Sequence, residues 1–304
     1  MSRIDINDLI SKIVILALIP IISFLSCQKD SAPTKPPDQT VPIKKSPKRG
    51  LAYDLTEPAD FDTLKCGVSW WYNWSFKTDA PADYYADYQM EFVPMLWGGN
   101  STSDFTQLKY FILNHPEIKY LLVLNEPNLT DQANQTPAQA AAEWLKYEQV
   151  IDELAAQQRT IYLVGPALTW GTMAKYSDPV VWLDAFYTAY KSANAGREPQ
   201  IDYLTFHWYD YGLAAQLDRL KKYGKQIWVT EMANWNAQIN SYAKQAEQMA
   251  QMVAICESRD DVFRYAWFIG RGTYPDNRYT YLFNPNPGQL TALGSLYISL
   301  PYAE

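Results

Sequence analysis

Two segments far apart in the sequence share one design, an apolar run that ends in a glutamate. Tyr120 to Asn128 reads YLLVLNEPN, and Gln226 to Trp235 reads QIWVTEMANW. A strand with one wet face alternates apolar and polar residues, so runs this continuous predict strands covered on both faces. Six more such runs follow residue 48: RGLAY (49 to 53), CGVSWWYNW (66 to 74), EFVPMLWG (91 to 98), IYLVGPAL (161 to 168), IDYLTFHWYD (201 to 210) and FRYAWFIG (263 to 270). Helical patterns separate them, among them Thr136 to Gln158, with Pro137 in its first turn, and Ser241 to Glu257.

Strands alternating with helices predict an α/β fold with a parallel sheet. Eight strands within residues 48–304 fit a (β/α)8 TIM barrel, which takes about 250 residues. The competing architecture is a doubly wound open sheet, but no phosphate loop follows a strand, and polar residues gather at too many strand ends. In a parallel barrel the C-terminal ends of the strands form the functional face. A strand of buried aliphatics that ends in glutamate therefore delivers a carboxylate to the mouth. Glu126 ends the fourth strand and Glu231 the seventh, and Asn73, Trp74, Trp97, His207, Tyr209 and Trp267 end others.

Composition narrows the partner. A net charge of −7 and a pI near 5.0 exclude recognition of a phosphate backbone, which needs a basic face, so no nucleic acid is expected and the partner is neutral. The chain carries 11 Trp and 23 Tyr, side chains with a flat apolar face and a polar edge, which suits pyranose rings. Most of them are expected in the core, leaving a handful for a carbohydrate. With two His and no paired-cysteine motif, no zinc site is expected, and no Gly-rich phosphate or dinucleotide motif is present. Neither a metal nor a cofactor is called for.

The N-terminus reads as targeting. Arg3 and Lys12 precede IVILALIPIISFLS (13 to 26), too short for a membrane span and interrupted by Pro20. The run ends in Ser26-Cys27 and resembles a bacterial lipobox, which makes residues 1–27 a lipoprotein signal peptide and Cys27 the acylated residue. Phe24 in place of the usual Leu, with Asp5 and Asp8 ahead of it, departs from that pattern, and an uncleaved signal anchor is the alternative. Residues 28–47 hold five prolines and several lysines and predict a tether. The domain, residues 48–304, is then expected in the bacterial cell envelope, on the outer membrane or cell surface, touching the membrane only through its lipid anchor. Cys66 and Cys256 are expected as buried free thiols, with a disulfide as the alternative. Asn-x-Ser/Thr triplets at Asn73, Asn100, Asn128 and Asn134 are read as chance in a bacterial protein. A monomer is the default for a protein that meets a long polymer.

Two glutamates at one mouth suit hydrolysis of a glycosidic bond, in which one carboxyl protonates the leaving oxygen and the other meets the positive charge at the anomeric carbon. A single strand-end Glu is more often an ion-pair or capping residue; the joint occurrence at strands four and seven is more specific. That joint pattern resembles the clan of retaining (β/α)8 glycoside hydrolases. Within it, KRGLAY (48 to 53), SWWYNW (69 to 74), FVPMLWG (92 to 98), LNEPN (124 to 128), FHWYD (206 to 210) and TEMANW (230 to 235) resemble the glycoside hydrolase family 128 endo-β-1,3-glucanases. The resemblance implies a β-glucan polysaccharide or oligosaccharide as substrate, Glu126 as general acid/base, Glu231 as nucleophile and Asn125 on the sugar 2-hydroxyl. Tyr209 is a candidate to hold the nucleophile and His207 to bond the acid or a sugar hydroxyl, both counted with the substrate-binding set, a satisfied buried residue being the alternative for both. Trp267 is the candidate platform under the reacting sugar. Trp71, Tyr72, Trp74, Trp97 and Trp235 are candidate stacking subsites, some of which would instead pack helices on the barrel, and Asn128 joins them as a substrate-binding candidate. A retaining hydrolase of another β-linked glucan or mannan is the second enzymatic reading, and a non-catalytic glycan-binding lipoprotein is the rival of another class.

Overall fold

The computed structural model describes residues 42–302; the expected leader, Cys27 and the tether as far as residue 41 lie outside the described residues. Nine strands appear: β1 (Arg49–Ala52), β2 (Trp70–Tyr72), β3 (Glu91–Phe92), β4 (Met95–Leu96), β5 (Tyr120–Val123), β6 (Tyr162–Leu168), β7 (Tyr203–Trp208), β8 (Ile227–Met232) and β9 (Val262–Trp267). All pairings are parallel, in the order β3-β2-β1-β9-β8-β7-β6-β5-β4. Every expected strand has its counterpart, and the ninth comes from one run divided in two. EFVPMLWG breaks at Pro94, which has no N–H to give to a ladder. Its first half pairs with β2 and its second with β5, and only Val93 and Pro94 separate them. The two ends of the strand order are thus joined by the chain itself, and the sheet curls into an α/β barrel of the TIM type.

Helices lie between the strands where capping residues start them. Thr136 and Gln139 form a capping box for the helix Pro137–Ala155, with Pro137 in its first turn, and Ser241 caps the helix Tyr242–Ser258. The first of these ends short of the expected Gln158, which takes a left-handed backbone with φ +62.

The strands alternate between two cores. Trp70, Tyr72, Leu122, Trp228 and Ala266 fill the barrel interior. Their neighbours Trp71, Leu121, Val123, Val229 and Trp267 face the helices. Gly50 belongs to the inner set: a Cβ there would meet the Trp70 indole at 2.2 Å, so only glycine leaves that ring its space.

The chain is already docked before Lys48. Lys45 Nζ donates to the carbonyls of Val68 and Tyr88 at 2.8 and 3.2 Å, and buried Ser46 donates its hydroxyl to Glu257 at 2.6 Å. Cys256 is a free, wholly buried thiol, but Cys66 is disulfide-bonded, which corrects the expectation of two free thiols; the two do not pair with each other. Among the described residues no helix is long and apolar enough to cross a membrane.

Candidate active site

Glu126 leaves the sheet just beyond β5. Its N–H donates to the Ala167 carbonyl of β6 at 2.8 Å, and Asn125 makes the last bridge to that strand. Leu124 and Glu126 both have positive φ, +56 and +47, a region that costs a side-chain-bearing residue about 1 to 2 kcal/mol. The backbone is held there by the loop that follows, in which Ala133 N donates to Asn125 O and Gln135 N to Pro127 O. Glu231 lies within β8, where the register against β9 shifts between Val229 and Met232. Both carboxylates are buried in the floor of a cleft of about 860 Å³, and one oxygen of each, with a ring nitrogen of His207, fall within 4.8 Å of one another.

The two carboxylates keep different company. Glu231 Oε1 accepts from the Tyr72 hydroxyl and from Trp74 Nε1, each at 2.8 Å, and Oε2 accepts from the Tyr209 hydroxyl. Three donors from two sides fix its plane. Burial raises the pKa of both tyrosines well above the ordinary value, and the charge of Glu231 adds to it, so both phenols keep their protons and remain donors. Among the described side chains Glu126 meets His207 alone, whose Nδ1 lies 2.9 Å from Oε1 and 3.4 Å from Glu231 Oε2. The far nitrogen of that ring is 2.9 Å from the Thr230 hydroxyl. Burial alone would lower the His207 pKa, but Glu231 and Glu126 outweigh it and hold the value above that of an ordinary histidine. Among the described residues this trio is also the one set whose donors could share a cation, and His207 would first have to give up its bond to Glu126.

The structure divides the other expected site residues. Asn125, Trp74, Trp97, Tyr209 and Trp235 line the cleft beside the glutamates, while Tyr72 and His207 lie wholly buried beneath it. The Asn125 Oδ1 is buried without a partner. Trp235 has neither face open: the Tyr209 ring stacks on it with centroids 3.8 Å apart, and the Arg278 guanidinium carbon also sits 3.8 Å from its centroid. Two planar groups that close cannot share a face, so Trp235 is sandwiched and only its edge is open. Trp71 and Trp267 are not in the cleft. Trp71 packs against Phe61, Tyr84 and Phe92, and Trp267 donates to the Thr280 carbonyl and lies against Tyr297, both in the layer under the helices. Asn128 is also withdrawn, wholly buried with its amide on the carbonyls of Thr169 and Ser177. Phe268 takes the cleft position expected of Trp267. Gln132, Thr169 and Trp170, not among the expected site residues, also line the cleft, just past the ends of expected strands. Proximity to those ends was the available signal.

Residues 50–297 match the family model described as the glycosyl hydrolase catalytic core. No curated protein matches the chain. Among solved structures, the chain is similar to a glycoside hydrolase family 128 (subgroup II) endo-β-1,3-glucanase from Pseudomonas viridiflava, with 54% identity over 86% of this chain and 100% of that one and a TM-score of 0.80. It is similar to a subgroup II endo-β-1,3-glucanase from Sorangium cellulosum at 32% identity, covering 84% and 100%, with a TM-score of 0.70. A subgroup III curdlan-specific exo-β-1,3-glucanase from Blastomyces gilchristii, solved with glucose, shares 27% identity over 83% and 98%, with a TM-score of 0.63.

Proposed function

The chain belongs to glycoside hydrolase family 128, and from that premise we propose that it is an endo-acting β-1,3-glucanase working by retaining double displacement. The observation that carries this reading is the approach of Glu126 and Glu231, one oxygen of each lying within 4.8 Å of the other. Retaining glycosidases hold their carboxyl groups about 5 to 5.5 Å apart, whereas inverting ones need about 6.5 to 9.5 Å to admit a water. β-1,3-glucan as substrate, and attack within the chain, rest on the two subgroup II relatives.

The unlike surroundings of the glutamates support their roles. Glu231, fixed by Tyr72, Trp74 and Tyr209, attacks the anomeric carbon while Glu126 passes its proton to the departing glycosidic oxygen. The C–O bond to the leaving chain breaks as the bond to Glu231 forms, giving a glycosyl ester and a chain that ends in a new hydroxyl. Water then attacks the same carbon, Glu126 takes its proton, and Glu231 departs as carboxylate, which restores the β configuration. The free Oδ1 of Asn125 accepts from the 2-hydroxyl of the reacting sugar.

The full chain would be incubated with linear β-1,3-glucan, cellulose and mannan, and new reducing ends followed for the wild type, Glu126→Gln and Glu231→Gln. The expected result is cleavage of β-1,3-glucan alone, with a fast fall in viscosity, a first product of β configuration by NMR, and a loss of roughly a thousandfold or more in each variant. An α product would replace retention by inversion. A glycan bound but never cut would make the chain a binder.

A further inference from the structure

Trp170, the second residue after β6, borders the cleft with 48% of its surface exposed. An indole so placed could be a loosely held loop residue, but this one is built in. Its Nε1 donates to Gln216 at 3.2 Å, and the Arg219 guanidinium carbon lies 5.3 Å from its ring centroid. Arg219 is itself clamped by both oxygens of Asp178, at 2.8 and 2.6 Å. The loop under the indole is bolted by Asn128, whose amide donates to Thr169 O at 2.6 Å and whose carbonyl accepts from the N–H groups of Thr172 and Met173. Gly171 lies so close that a Cβ there would meet the Asn128 carbonyl at 2.1 Å. One face of the ring is thus backed and its orientation fixed, while a large apolar surface is left at the cleft. Trp235, with both faces covered, offers no such surface.

The side of the cleft follows from the same bonds. Asn128 joins the loop of Trp170 to the loop of Glu126, and β6 is the immediate neighbour of β5. The Tyr72 and Trp74 that hold Glu231 come from β2 and the turn after it, elsewhere on the ring. A general acid faces the oxygen of the leaving group. We infer that Trp170 is a stacking platform for a sugar of the leaving part of the β-glucan chain, pre-set by Asn128, Arg219 and Asp178. This inference rests on the function proposed above, with Glu126 as the acid.

The test compares two substrates in the full chain. One is a β-1,3-gluco-hexaose, which places sugars on both sides of the cut; the other is a short β-1,3-glucoside with a nitrophenyl leaving group, which places none on the leaving side. Trp170→Ala is expected to lower the ratio of the two kcat/KM values roughly tenfold or more, the effect of losing one anchoring aromatic, and Trp170→Phe to recover most of it. An unchanged ratio would overturn the assignment, as would an equal loss on both substrates, which would make the indole a support of its loop. Failure of the function itself is seen separately, since the wild type would then release no reducing ends from β-1,3-glucan, and this inference would fall with it.

Discussion

His207 sits where a proton has the most influence, between the two glutamates, with Thr230 behind it. Its pKa is raised on folding, so between the ordinary histidine value of about 6.5 and the raised one the folded chain holds more protons than the unfolded chain. That contribution to stability is fully present below about 6.5 and is lost as the pH climbs through the raised value. Urea midpoints of the wild type and His207→Asn, measured across that range, should therefore differ most at the acid end and converge toward alkaline pH; a constant gap would mean that the ring contributes only packing. At this scale the sequence was partly legible. Glu126 and Glu231 stood out because an ionisable group at the end of an apolar run needs a reason to be there. Tyr72 and Trp74 pointed to sugar stacking; both donate to Glu231, Tyr72 from beneath the cleft and Trp74 from its wall. Which hydrogen-bond donor reaches a carboxylate several strands away depends on register around the ring, and a linear sequence carries little trace of it.

Strand elements sort the tryptophans by parity. Along β2, Trp70 and Tyr72 point into the barrel and Trp71 out of it; along β9, Ala266 points in and Trp267 out. Successive side chains of a strand take opposite faces, so Trp267 and Phe268 could not both serve the cleft, and the register Gly50 to Ala266 assigns Trp267 to the outer set. The alternation was visible in the sequence, but choosing which parity faces inward needs one fixed point. In runs buried on both faces, hydrophobicity does not supply it. Trp267→Ala is accordingly expected to destabilise the fold by about 3 to 5 kcal/mol in denaturant titrations while the folded fraction keeps its KM. Trp74→Ala should show the reverse, a modest change in stability with a large fall in kcat. If Trp267→Ala instead raised KM with stability intact, the assignment of faces would be wrong. The break at Pro94 is similar: the proline was in plain sight, but a barrel can absorb it only because each half of the broken strand finds its own neighbour.

At the scale of the molecule, a closed ring needs its first strand held against its last, and here that seam also joins the two ends of the domain. Buried Arg49, at the start of β1, donates to the Tyr265 hydroxyl of β9 at 2.8 Å and to the carbonyls of Tyr297 and Leu300 at 2.8 and 2.7 Å, with Glu257 at 3.6 Å. Ser46 and Tyr265 both donate to that same Glu257 oxygen at 2.6 Å. The composition of the lysine- and proline-rich segment before Lys48 suggests only a spacer, because its anchoring contacts are few and long-range and leave no periodic pattern. Two changes separate the parts of the seam. Arg49→Met leaves Glu257 buried without its cation and should cost about 3 to 5 kcal/mol. A chain beginning at Lys48 keeps Arg49 but loses Ser46 and Lys45, and should unfold at lower urea than one beginning at Pro42, by about 2 kcal/mol for a hydrogen bond to a charged acceptor and those that accompany it. Equal midpoints for the two starts would show that these residues merely lie along the domain. A deficit that Ser46→Ala reproduces within the longer chain would place the closing contact at Glu257, where the beginning of the domain, its last strand and the helix before that strand meet.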